Sequence, residues 1–248
     1  MLVHRRHMGP LSVQRPFYPE GGVCHVYLLH PPGGVVGGDR LSIDISAETG
    51  AQALITMPAA GKFYRSGGAE AGQQVTLRIA GQSSLEWLPQ ETIVYEGARL
   101  NAGMNIQLAK DAGFIGWEIV ALGRPAAGEG FQSGHAHLAW RIDLDGQIFY
   151  LERQRLDAEA FAARWGLSRH SSFGTLFAYP STAQQLEAVQ ELIGDHPGKG
   201  VTRIDQLLIC RAIDQRADRL RDFFHAVWQS IRTDIIQKPA CAPRIWAT

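Results

Sequence analysis

From the amino terminus to about residue 155, apolar and polar side chains alternate with a period of two. Val75, Leu77 and Ile79 alternate with polar neighbours, and Ile142-Asp-Leu144 meets Ile148-Phe-Tyr150 across Asp145-Gly146, a dipeptide that favours a type I′ hairpin. Glu48-Thr-Gly50 separates two further alternating runs, and Gly67, Gly72, Gly81, Gly97, Gly103 and Gly113 punctuate the rest. The pattern predicts a succession of short antiparallel strands. No sequence repeat marks a regular solenoid.

The last third changes period. Thr182 with Gln185 three residues on resembles a capping box, opening a helix that Gly194 can close. A strand is expected at Ile204 to Ala212. Leu220, Phe223, Phe224, Val227, Trp228 and Ile231 then fall on one face of an amphipathic helix from near Asp214 to Thr233. That face needs a cover, from the sheet or from a partner. The tail from Lys238 to Trp246 contains Pro239 and Pro243 and cannot continue the helix. No linker or charge block divides the chain, so the expectation is one mainly β domain over residues 1–248 with two α-helices in its C-terminal third.

Composition narrows the function classes. Lys plus Arg equals Asp plus Glu at 24 each in 248 residues, without the basic excess of a nucleic-acid or anionic-membrane binder. Cys24, Cys210 and Cys241 are widely spaced and form no CxxC pair, which fits a reduced, cytoplasmic compartment. The start, Met-Leu-Val-His-Arg-Arg-His, has no apolar core of signal-peptide length, and no apolar run is long enough to span a bilayer. Neither secretion nor membrane insertion is expected.

The stretch His30 to Asp39, His-Pro-Pro-Gly-Gly-Val-Val-Gly-Gly-Asp, constrains the backbone more heavily than any other. Its glycines miss the dinucleotide-loop spacing, and an alternating strand follows them instead of a helix. Gly61-Lys62 and Gly198-Lys199 lack the Ser or Thr of a Walker loop. Gly-x-Ser-x-Gly and HExxH motifs are absent from the sequence. Ser66, beside Lys62 and Arg65, has two readings: an activated hydroxyl or anion site, and a structural turn.

Carboxylates are more suggestive. Glu118, within Phe114-Ile-Gly-Trp-Glu-Ile-Val-Ala-Leu122, and Glu152, after Ile148-Phe-Tyr-Leu151, each interrupt an apolar strand. Burying an ionised carboxylate alone costs several kcal/mol, so each must be paired, protonated or placed in a wet cavity. An ion-pair network with Arg124, Arg141, Arg153 and Arg155 competes with a polar interior that handles a cation or substrate. His135 and His137 share a strand face, which permits two-point metal binding, but no third ligand is near in sequence and solvent exposure is the expectation.

Six collinear segments, Gly9 to Glu20, His30 to Asp39, Lys62-Phe-Tyr-Arg-Ser66, Glu86-Trp-Leu-Pro-Gln90, Leu122-Gly-Arg-Pro125 and Pro243-Arg-Ile-Trp246, resemble the urease accessory protein UreD (UreH) family. The resemblance implies a helical arrangement of β-strands with two helices. It further implies a cytoplasmic, non-enzymatic factor that acts with UreF and, through UreF, with the GTPase UreG on apo-urease, so that nickel reaches its active site. The missing nucleotide loop then belongs to another chain. Family members usually carry a first strand before the Gly9-Pro10 equivalent, so that strand is expected to be missing here.

Asp39, Glu118 and Glu152 correspond to acidic positions of the family pattern, and Lys62 lies in its Lys-Phe-Tyr-Arg-Ser segment. The expectation is that the three carboxylates line one internal route for nickel in transit, with no tightly bound cofactor. Phe224, Trp228, Arg244 and Trp246 are the candidate partner contacts. Two alternatives remain: a β-rich carbohydrate-active hydrolase using two of the carboxylates, and an interaction module without a metal path.

Overall fold

The computed structural model describes residues 1–247 and consists of two β-sheets packed face to face, with the long helix on the outer side of the larger one. The strands are β1 (Ser12–Val13), β2 (Cys24–Leu29), β3 (Arg40–Ala47), β4 (Gln52–Thr56), β5 (Gly61–Phe63), β6 (Ala71–Ile79), β7 (Ser84–Leu88), β8 (Thr92–Val94), β9 (Arg99–Leu108), β10 (Gly113–Leu122), β11 (His135–Leu144) and β12 (Gln147–Leu156). After helix α1 (Ala158–Ala162) come β13 (Ser172–Tyr179), helix α2 (Ala183–Ile193), β14 (Lys199–Ile204), β15 (Leu207–Asp214) and helix α3 (Ala217–Ile236).

The larger sheet runs β1-β2-β4-β7-β10-β13-β15-β14, with β5 and β8 attached beside β10, and the smaller runs β12-β11-β9-β6-β3. From β2 to β11 the chain passes repeatedly between the two sheets and returns one strand spacing further along. Consequently β2, β4, β7 and β10 are mutually parallel, as are β3, β6, β9 and β11. The mainly β class and the helical winding agree with expectation, whereas the mostly antiparallel pairing is corrected. Side-chain alternation is the same in both pairings, and only the distant partner reveals the direction. Antiparallel strand pairs are β1–β2 at the beginning of the chain and, later, β10–β13, β11–β12, β13–β15 and β14–β15.

Local signals were accurate where chemistry fixes them. Asp145 and Gly146 have φ of 48° and 78° and close the β11–β12 hairpin. Thr182 and Gln185 form the capping box of α2, and Gly194 caps its end. The expected single strand from Ile204 is instead a hairpin, β14–β15, turning at Asp205, whose φ is 49°. Helix α1 is a single short turn, capped by the Asp157 carboxylate accepting from Ala160 N at 3.0 Å, and is too short to show a period.

The smaller sheet buries one face. Ile43, Val75, Leu77, Ile106, Leu138, Trp140 and Ile142 point toward the larger sheet. Strands β7 and β13 are buried along their whole length because the larger sheet is covered on both sides. Helix α3 supplies the outer cover: Leu220, Phe223, Phe224, Val227, Trp228 and Ile231 cluster with Ile115, Trp117, Leu176 and Cys210. Its apolar stripe is therefore core. The three cysteines are free thiols, and among the described residues no helix is long and apolar enough to cross a membrane.

Candidate functional site

Between the sheets lies a polar belt. Alternation along β10 turns Ile115, Trp117 and Ile119 toward α3 and Phe114, Glu118, Val120 and Leu122 toward the smaller sheet. Glu118 pairs in register with Thr175 on β13, and Thr175 with Arg211 on β15. Facing this rung from the smaller sheet are Trp140 and Glu152, paired across β11 and β12. Apolar clusters close the layer on both sides: Phe114, Ile142 and Phe177 belong to one, Val120, Leu138, Leu156 and Phe173 to the other.

The two carboxylates are held differently. Glu118 Oε2 accepts the Trp140 indole N–H at 2.9 Å. Burial pushes its carboxyl above the usual range, the negative charge of Glu152 adds to that, and the indole bond only partly opposes it. Glu152 instead accepts from Arg211 Nη2 at 2.7 Å, Gln154 Nε2 at 2.9 Å and the Tyr150 hydroxyl at 2.9 Å. The Tyr150 phenol is pushed up to about 12 by burial and by its bond to the Glu152 carboxylate. One acid thus has a single donor and a pKa raised by burial, while the other is anchored by three. Gln154, Thr175 and Arg211 also line an open groove of about 540 Å³, with Lys199 and Trp165, so the belt has a border with solvent.

Asp39 is not part of this pair. It is exposed, its Oδ2 accepts from Val36 N at 3.2 Å, and it leads into β3, the opposite edge of the smaller sheet from β12. Four strand spacings of about 4.8 Å place it roughly 19 Å from the Glu152 edge. The expected grouping of all three carboxylates is corrected: Asp39 does not share the inter-sheet layer with Glu118 and Glu152. The Gly-rich loop that carries Asp39 has a packing reason: a Cβ on Gly34 would lie 2.5 Å from Tyr64 Cε2 and one on Gly37 2.3 Å from Ser66 Oγ. Lys62 is half-buried and its carbonyl accepts from Val35 N at 2.7 Å. Ser66 donates to Ala69 O at 2.5 Å and accepts from Gly68 N at 3.2 Å, the bonding of a turn serine.

The candidate contact residues divide. Phe224 and Trp228 are fully buried under the larger sheet, so as surface contacts they are corrected. Arg244 is exposed. Trp246 is half-buried, stacks on His225 at 4.1 Å and donates its indole N–H to Thr56 Oγ1 at 3.1 Å, which folds the tail back over α3.

Sequence reading missed a buried ionic lock. Arg232, fully buried, donates to Glu86 at 2.9 Å through both Nε and Nη2 and to Glu20 at 2.7 and 2.8 Å, and its Nη1 also reaches Pro239 O. Trp228 Nε1 donates to Glu86 at 2.6 Å, and His25 Nε2 lies 2.7 Å from Glu20. Burial alone would lower the guanidinium pKa, but its bonds to Glu86 and Glu20 raise it. The available signal was Glu86 inside the apolar run Leu85-Glu-Trp-Leu88.

Comparison with known proteins decides the family. A family model described as UreD urease accessory protein matches residues 1–247. The urease accessory protein UreD of Citrobacter koseri is 43% identical over 251 residues, covering 100% of this chain and 86% of its own. The chain belongs to the UreD family. UreD of Pseudomonas putida is 42% identical, covering 98% of this chain and 87% of its own, and UreD of Aliivibrio fischeri is 40% identical, covering 100% and 91%. Membership in this family of urease accessory proteins supports a role in urease maturation. Several segments that carried the UreD resemblance are structural neighbours: residues 30–39 pack on residues 62–66, and Glu20 meets Glu86 through Arg232.

Proposed function

We propose that this chain is a non-enzymatic, cytoplasmic assembly factor that works with UreF and, through UreF, with the GTPase UreG to load apo-urease with nickel, and that nickel passes the Glu118–Glu152 belt on its way. The observation that carries the reading is the placement of two carboxylates, one of them poorly compensated, between two apolar clusters in the inter-sheet layer. Oxygen donors suit a passing divalent ion, because they hold nickel more loosely than thiolates or several imidazoles. Arg211, exposed at the groove and bonded to Glu152, sits where an arriving cation would displace it.

A glycoside hydrolase is less well supported. Such enzymes need their carboxylates on either side of a substrate in an open cleft. Here Glu118 is held by the Trp140 indole between the sheets and Glu152 by three donors. For the partner contact, Arg244 and the accessible part of Trp246 replace the buried stripe of α3.

The test is urease produced with its other accessory proteins in cells that contain or lack this chain. Urease from cells lacking it should be poor in nickel and regain the metal when the chain is supplied. Equal nickel content in both would contradict the reading.

A further inference from the structure

On the outer face of the smaller sheet, away from the belt, Glu70, His135 and His137 converge, each with a ligand atom within 4.8 Å of the others. Glu70 immediately precedes β6 and His135 opens β11. The register Ala71↔Leu100↔Ala136 puts Glu70 and His135 in one rung, two strands apart. Arg99, on the strand between them, turns its guanidinium to Gly68 O at 3.1 Å. Because Ala136 and Leu138 are buried, alternation leaves both histidines on the outer face, where their rings stack at 4.8 Å with 24° between planes. His135 Nε2 lies 2.8 Å from Glu70 Oε1.

The backbone beneath is fixed. His135 N donates to Ala98 O at 2.9 Å, and Gly134, with φ +91°, approaches so closely that a Cβ there would sit 2.3 Å from Ala98 O. An ion pair between His135 and Glu70 explains two of the three residues. It leaves His137 half-buried and stacked, near the Glu70 carboxylate but with no side-chain hydrogen bond among the described residues.

Two imidazoles and a carboxylate are the donor set of borderline first-row divalent ions; magnesium and calcium prefer oxygen alone. Bonds of about 2.0–2.1 Å in a tetrahedron require donors about 3.3 Å apart, against a present spread of no more than 4.8 Å. We propose that Glu70, His135 and His137 form a solvent-facing site for a borderline divalent ion of the nickel, zinc and cobalt class, with three protein ligands and the remaining positions open. The site is separate from the belt and stands whether or not nickel passes Glu118 and Glu152.

The test is titration of the purified 248-residue chain, stripped with EDTA and desalted, with cobalt chloride followed by visible absorption, and with nickel chloride by equilibrium dialysis. One cobalt ion per chain should give a ligand-field spectrum distinct from that of the aquo ion. His137→Ala and Glu70→Gln should each weaken binding by at least about tenfold. His137→Ala should keep the wild-type melting curve in EDTA, and a His4→Ala/His7→Ala variant should keep the spectrum. An aquo-ion spectrum at millimolar cobalt, or wild-type affinity in both His137→Ala and Glu70→Gln, overturns the proposal.

Discussion

Trp140 on the smaller sheet donates its indole N–H to the Glu118 carboxylate on the larger sheet at 2.9 Å, joining the two sheets at the level of Glu152. This single donor meets an acid whose charge burial disfavours. Glu118 is therefore expected to cost stability whenever it is ionised.

The sign follows from linkage. Burial raises the folded-state pKa of Glu118 above the ordinary carboxylate value, so its contribution is most favourable below that value and is lost as pH rises through the folded pKa. Glu118→Gln keeps the acceptor for Trp140 without the charge. The variant should melt higher than wild type at pH 8, and the difference should vanish as pH falls toward the ordinary carboxylate range. A lower melting temperature at pH 8 would contradict this.

The lock around Arg232 behaves in the opposite way. Arg232→Met would strand Glu86 and Glu20 in the interior, at a cost of about 3–5 kcal/mol. Denaturant unfolding should show a lower midpoint with an unchanged m-value. Replacing Glu86 by Gln in the same chain should recover part of the loss. An unfolding free energy within about 1 kcal/mol of wild type would show that the lock is not coupled to folding.

Phe224 should act as core. Phe224→Ala is expected to lose about 3–5 kcal/mol, and Phe224→Asp to prevent folding. Gly174→Ala should also destabilise, because its Cβ would lie 2.6 Å from Phe224 Cε2 and 2.9 Å from Glu118 O. Chemical denaturation of each variant checks this, and a stably folded Phe224→Asp would return the stripe to the surface.

What could be read in the sequence depended on distance along the chain. Asp145-Gly146 and the Thr182/Gln185 box are local devices, and both formed as expected. The stripe of α3 was visible, but its cover was not, because Trp117 and Leu176 come from strands far upstream. Alternation predicted inward and outward faces without saying that β3 pairs in parallel with β6 across an intervening excursion to the other sheet. For the same reason Glu118 and Glu152 were each visible as acids in apolar strands, while their meeting through Trp140 was not. Glu70, 65 residues before His135, could not be seen as its partner.

The most direct measurement is nickel per urease active site in cells making urease with UreF, UreG and this chain as wild type, Glu118→Gln or Glu152→Gln. The account predicts variants that fold and assemble normally yet deliver clearly less nickel. Full loading of urease by both folded variants would contradict a route through the belt.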